Sequence, residues 1–149
     1  MSYLVDTSIL GRLANKSDSC YATALNAVST LHAARESLHI APQNLVEFRN
    51  FGTRPTGVNG LGLLPATVEA LSTGFESAFS LLPETPDIFP TWKNLVRASG
   101  TIGKQVHDAR LVAICQVHQI THILTFNVQH FQVFCRFAPG ITVVDPAVV

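Results

Sequence analysis

The sequence predicts an α/β protein, a three-layer α/β/α sandwich with a central parallel sheet of about four to five strands and helices on both faces. Three observations carry this. Short apolar runs at Leu4-Val5, Leu38-His39-Ile40-Ala41, Ile120 to Thr125 and Ile141-Thr142-Val143-Val144 read as buried strands. Stretches with apolar residues at helical spacing separate them, so strand and helix alternate and the connections must be right-handed crossovers. Two strands also end in polar side chains, Asp6-Thr7-Ser8 and Thr125-Phe126-Asn127, at the carboxyl edge where open sheets bind ligands. The 149 residues are one domain's worth, read as a single domain over 1–149, and 47% hydrophobic content is ample for one core.

Taken in order, the first strand runs into Asp6-Thr7-Ser8, residue types that cap a helix whose apolar stripe is Ile9, Leu10 and Leu13. Residues 19 to 36 place Tyr21, Leu25, Val28, Leu31 and His32 near helical spacing on one buried face. After the second strand, Pro42 is a natural first residue for a helix from Gln43 to about Phe51, which carries Glu47. Gly52 through Gly62 reads as a loop. Pro65 opens a helix to about Leu82, with Val68, Leu71, Phe75, Phe79 and Leu82 on one side, and Pro83, Pro86 and Pro90 break the chain beyond it. Trp92, Leu95 and Val96 predict a short helix ending at Gly100. From Gln105 to His118 a helix sets Asp108, Leu111, Val112 and Cys115 at i, i+3, i+4 and i+7, which puts a carboxylate on the stripe facing the core. The chain has no internal repeat.

Composition narrows the function. Ten basic residues balance ten acidic ones, so no broad positive field announces nucleic acid or an anionic membrane, and any polyanion must be held locally. Cys20, Cys115 and Cys135 match neither a zinc site nor a disulfide framework, which favours core positions and a reducing, cytoplasmic setting. The N-terminus lacks the pattern of a signal peptide, and the uncharged stretch Leu111 to Cys135 is too often interrupted by Gln, His, Thr and Asn to span a membrane. His118 and His122 are four apart, but the second falls in a strand, so helical zinc ligation is not expected. No glycine-rich phosphate loop is present, and Ser8 and the cysteines lack a histidine partner nearby in sequence.

The chemistry that remains lies in Asp6, Glu47 and Asp108, acids on three separate elements. Buried carboxylates need neutralising, and no Lys or Arg has an obvious position beside all three. A divalent cation would serve, and oxygen-only ligation points to Mg²⁺ or Mn²⁺. Such an ion suits hydrolysis of a phosphodiester. The competing reading is that Asp6 and Asp108 merely sit at helix N-termini while Glu47 is solvated.

Four ordered motifs, Leu4-Val5-Asp6-Thr7-Ser8, Asn44-Leu45-Val46-Glu47-Phe48-Arg49-Asn50 followed by Arg54-Pro55, His107-Asp108-Ala109-Arg110-Leu111, and Ile123-Leu124-Thr125-Phe126-Asn127-Val128, give a chain that resembles the PIN domains, in particular the VapC-type bacterial toxin ribonucleases. The resemblance covers nearly the whole chain. It implies a Mg²⁺- or Mn²⁺-dependent endoribonuclease for single-stranded RNA, in which Asp6, Glu47 and Asp108 are the catalytic metal ligands and Thr7, Ser8 and Thr125 support the site. It also implies dimerisation and neutralisation by a small antitoxin. Many members of that family carry a fourth acid near the positions of Asn127 and His130, whereas this chain has no Asp or Glu from residue 109 to residue 144. Asn127 can support the site or offer a neutral oxygen, but adds no charge. Contacts to RNA phosphates fall to a few candidates, Arg49, Arg54, Lys104 and Arg110. The alternative function is a catalytically weak module of the same fold that acts by binding protein or RNA.

Overall fold

The computed structural model describes residues 1–149. Five strands alternate with seven helices: β1 (Ser2–Val5), α1 (Thr7–Leu13), α2 (Tyr21–Ala33), β2 (Ser37–Ile40), α3 (Pro42–Thr53), α4 (Pro65–Ala78), β3 (Ser80–Leu81), α5 (Ile88–Ser99), α6 (Gln105–His118), β4 (His122–Leu124), α7 (Val128–Gln132) and β5 (Thr142–Val144). All four strand pairings are parallel, in the order β3-β2-β1-β4-β5. Strand order therefore reverses at β1, whose two neighbours are β2 and β4.

The strand period of two divides the core into two layers. Leu4 and Ile123 point to one face, under α5, α6 and Phe131 of α7, while Tyr3, Val5, Leu38, Ile40 and Leu124 point to the other, under α1 to α4. Val5 and Leu124 are fully buried although they end their strands, so the next residues, Asp6 and Thr125, are delivered to the sheet's carboxyl edge as neighbours. The Asp6 amide donates to Leu124 O at 3.0 Å and carries the β1–β4 ladder to that edge.

The four predicted strands are present, and the differences are local. The helix expected to reach Leu82 ends at Ala78, and Ser80 and Leu81 form the fifth, edge strand beside β2. Both are exposed, so no alternation marks them as a strand, and the flanking Phe79 and Leu82 are buried as either periodicity requires. Gly52 lies inside α3 rather than in a loop. A methyl group there would come within 2.8 Å of Val68 Cγ2, so the missing side chain is what lets α3 and α4 approach. On α2 the buried face is Ala24, Ala27 and Leu31, while Leu25 is exposed, because small residues set the contact distance. Pro90 does not interrupt α5: it sits in the first turn, where backbone N–H groups have no intrahelical partner to lose. The five-residue α7 is too short for its sequence to show a helical period. Cys115 is buried, Cys20 and Cys135 are half-buried, and all three are free thiols. His118 and His122 are not paired, since the first ring meets Pro83 O and the second meets Thr121 Oγ1 and stacks on Tyr3. No helix is long and apolar enough to cross a membrane.

Candidate functional site

Asp6, Glu47 and Asp108 line one cavity of about 320 Å³ at the carboxyl ends of β1 and β4, together with Thr7, Ser8 and Asn127. Three different helices contribute: Asp6 caps α1, Glu47 comes from the middle of α3, and Asp108 from the first turn of α6.

Asp6 is buried and held from one side. Its Oδ2 accepts from Ser8 Oγ at 2.6 Å, from Thr125 Oγ1 at 2.8 Å and from the Ser8 amide at 3.3 Å. The two hydroxyl oxygens are themselves fixed, Ser8 Oγ by the Phe126 amide at 3.2 Å and Thr125 Oγ1 by the Asn127 amide at 2.9 Å. Each hydroxyl thus donates its single proton to the carboxylate, which can only accept, and accepts one backbone N–H in turn. All the hydrogen bonds Asp6 accepts fall on Oδ2, which leaves Oδ1 free for another partner.

Glu47 is held at both oxygens. Thr7 Oγ1 donates to Oε2 at 2.7 Å and Gln43 Nε2 to Oε1 at 2.7 Å. Behind Thr7 stands Asn44, fully buried, which donates from Nδ2 to Thr7 Oγ1 at 3.1 Å and accepts the Ala41 amide at 2.8 Å. Gln43 also donates to His107 O at 2.8 Å and accepts from Arg110 Nη1 at 3.1 Å, tying α3 to the start of α6. Gln43 therefore fixes the spacing between the helices that carry Glu47 and Asp108.

Asp108 has few partners. Its Oδ2 faces His130 Nδ1 of α7 at 3.5 Å. Its pKa is pushed up to about 6, first by burial and then by the Asp6 carboxylate, with Glu47 adding to the rise and His130 and His107 opposing it. Asp6 and Glu47 are therefore near enough to Asp108 for their charges to add to the effect of burial. Even so, no three His, Cys, Asp or Glu side chains stand together as a ready-made metal cage. The donor set nevertheless fits a hard cation, which takes oxygen ligands and, for Mg²⁺, keeps several waters and engages one or two carboxylates directly.

The basic candidates separate. Arg54 lines the cavity. Arg49 pairs with Glu69 at 3.0 Å, Arg110 with Glu84 at 2.8 Å, and Lys104 is exposed ahead of α6; none of the three lines it. Sequence reasoning missed Gln43, Asn44, Asn50, His130 and, above all, Arg12, which lies in the cavity wall. Arg12 follows Ser8 by four residues on α1 and so shares its face, a spacing that was available in the sequence.

The fold is thus a parallel α/β sandwich with a carboxylate-lined pocket where the strand order reverses. The chain belongs to the PIN domain family, whose model matches residues 3–136. No curated protein matches the sequence. Among solved structures the fold is similar to VapBC2 from Rickettsia felis bound to a DNA fragment from its promoter, with TM-score 0.68 and 16% identity over 97% of this chain and 98% of that one. It is similar also to VapC20 of Mycobacterium tuberculosis, described as a sarcin-ricin loop cleaving toxin, with TM-score 0.62 and 20% identity over 86% and 92%. VapBC-1 from nontypeable Haemophilus influenzae aligns with TM-score 0.64 and 16% identity over 98% of each chain.

Proposed function

We propose that the chain is a divalent-metal-dependent endoribonuclease that cuts single-stranded RNA and serves as the toxin of a toxin-antitoxin pair, working as a homodimer in the cytoplasm and silenced by a small antitoxin. The observation that carries this reading is that Asp6, Glu47 and Asp108, far apart in sequence, line one pocket on three helices. Support comes from PIN family membership and from the similarity to a structure described as a sarcin-ricin loop cleaving toxin and to others described as VapBC2 and VapBC-1.

In this reading Asp6, Glu47 and Asp108 hold Mg²⁺ or Mn²⁺. When bound, the ion supplies positive charge to a phosphodiester and lowers the pKa of a water. The chain's own residues do the rest. Ser8 and Thr125 orient Asp6 so that Oδ1 faces away from its hydrogen-bonded side, and Thr7 and Gln43 fix Glu47. Asp108, whose pKa is pushed up to about 6, would have to give up its proton to hold a cation. Asn127 supplies a neutral amide in the cavity wall.

The second reading, a PIN-fold module of weak activity that works by binding, draws on the absence of a closed cage and on Asn127 in the cavity wall. Purified protein incubated with labelled single-stranded RNA, duplex RNA and single-stranded DNA, in Mg²⁺, Mn²⁺ or EDTA, separates the two. The nuclease reading expects internal cleavage of single-stranded RNA with either ion and none in EDTA; intact RNA under every condition supports the binding module.

A further inference from the structure

The pocket has a second chemical character that the three acids do not use. Besides them its wall carries two guanidinium groups, Arg12 at the end of α1 and Arg54 at the end of α3. Both rest on aromatic rings. Arg12 lies over Phe126 with 5.8 Å from Cζ to the ring centroid, and Arg54 lies over Phe51 at 5.9 Å. Neither is fully satisfied. Arg12 meets one partner, Asp18, from Nη1 at 3.4 Å, and Arg54 donates only to Asn59 O from Nη2 at 3.0 Å. In each the Nε is enclosed and lacks an acceptor. The enclosed Nε atoms do not face the cleft, so the Nη groups, of which each arginine commits one to a partner, are what a ligand there can meet.

The backbone supports this pairing. Gly11 lies so near Phe51 that an added methyl would come within 2.8 Å of Phe51 Cε1, so α1 and α3 close together and hold Arg12 and Arg54 against the same opening. A guanidinium resting on an aromatic face presents its remaining N–H groups in a planar, pre-organised fork. That fork matches the geometry of phosphate oxygens.

Resting on the nuclease reading, we propose that Arg12 and Arg54 form a clamp for a backbone phosphate of the RNA next to the one that is cut. The acids and the arginines divide the pocket. The acidic floor takes the cation, and the clamp takes a neighbouring phosphate that needs no metal. This also resolves how a chain of zero net charge engages a polyanion, since two arginines aimed into the cleft replace a broad basic surface. Asp18 holds Arg12 in place before RNA arrives and competes for it afterwards.

The test is RNA binding as a function of salt, with the full chain carrying Asp6→Asn so that the RNA stays intact, a short fluorescein-labelled single-stranded RNA of mixed sequence, and Mg²⁺ present. Each of Arg12→Gln and Arg54→Gln should weaken binding about tenfold at low salt and flatten the slope of log affinity against log salt, and the double variant, which frees the one clamped phosphate, should reduce that slope by about 0.7, the value for one phosphate on a single strand. Arg12→Lys keeps the charge and should recover the slope but only part of the affinity. Asp18→Asn should tighten binding. Arg136 also sits on a ring, Phe137 at 4.6 Å, but does not line the pocket, and Arg136→Gln should change nothing. In the otherwise unaltered protein the same Arg12 and Arg54 variants should raise KM and leave kcat within about twofold. Variants that remain folded by thermal melting and bind with the unaltered slope and affinity, while the parent protein cleaves RNA, overturn the clamp and leave the nuclease reading standing. A parent protein that neither cleaves nor binds RNA overturns the nuclease reading and the clamp with it.

Discussion

Thr125 Oγ1 donates a 2.8 Å hydrogen bond to Asp6 Oδ2 across the seam between β4 and β1, joining two residues 119 positions apart. The contact exists because β1 and β4 are paired Val5 to Leu124, so the next side chain on each strand reaches the edge beside the other. It is buried, and its oxygen is already committed to the Asn127 amide. The carboxylate is therefore aimed by the sheet itself.

Thr125→Val keeps the shape and removes that donor. It also leaves the Asn127 amide without its acceptor. A buried charged hydrogen bond of this kind contributes about 1.5–3 kcal/mol, so we expect a stability loss near the lower end and cleavage reduced about tenfold. Urea unfolding and initial cleavage rates check both. Unchanged activity would remove Thr125 from the site.

Asn44 sets Glu47 through Thr7 and closes the start of α3 by accepting the Ala41 amide. Asn44→Leu is close in size but strands both the Ala41 N–H and the Thr7 hydroxyl oxygen. Each such loss costs about 1–3 kcal/mol, and we predict a drop of about 2–4 kcal/mol together with weaker metal binding. Calorimetric titration of Mn²⁺ alongside chemical denaturation measures the two effects separately.

Asp108 gives the pH dependence. Its pKa in the folded chain, about 6, lies above the ordinary value of 3.8 that it regains on unfolding. The stability this group contributes is thus fully present below pH 3.8 and is lost as pH rises through 6. Asp108→Asn, which mimics the protonated form, should match the parent in acid and gain on it between these values. Above pH 6 in EDTA it should be more stable by about 1 kcal/mol, discounted because the side chain is partly solvated. Added Mg²⁺ should reverse the order by stabilising the parent alone. A parent protein more stable than the variant in EDTA at neutral pH would mark Asp108 as a structural cap.

Asn127 tests the missing fourth acid. Three carboxylates leave a charge of about −1 around one divalent ion and about +1 around two, so a second ion is better held once a phosphate arrives. Asn127→Asp should tighten Mn²⁺ binding without RNA and lower the metal concentration for half-maximal cleavage, and Asn127→Ala should weaken cleavage without abolishing it. Equal metal affinity in all three proteins would place Asn127 outside the metal site.

Much of this architecture could be read from the chain because its central strands β1 and β4 are buried on both faces and so appear as short apolar runs, Leu4-Val5 and Ile123-Leu124. β3 escaped because an exposed strand of two residues has no period to detect. The acids stood out for the same physical reason that they are costly: Asp108 interrupts an apolar stripe whose other members, Leu111, Val112 and Cys115, are buried. Their supports were less visible. Asn44 and Gln43 act on Thr7 and His107, partners far away in sequence, and an isolated Asn or Gln on a helix carries no sign of the contact it will make. Arg49 and Arg110 had the right chemistry but found acidic partners on neighbouring elements, Glu69 and Glu84, which only the packing of α4 and the turn before α5 decides.

The central claim is that the carboxylate pocket is the place where metal-dependent RNA cleavage occurs. The most direct measurement is the initial rate of single-stranded RNA cleavage against Mn²⁺ concentration for the parent protein and for Asp6→Asn, which keeps the side chain's size and can still accept from Ser8 and Thr125. The account predicts saturable, EDTA-sensitive cleavage by the parent and a loss of at least about a hundredfold in the variant at every Mn²⁺ concentration, with the fold intact by circular dichroism. Cleavage by Asp6→Asn at the parental rate, or parental cleavage that persists undiminished in EDTA, would contradict it.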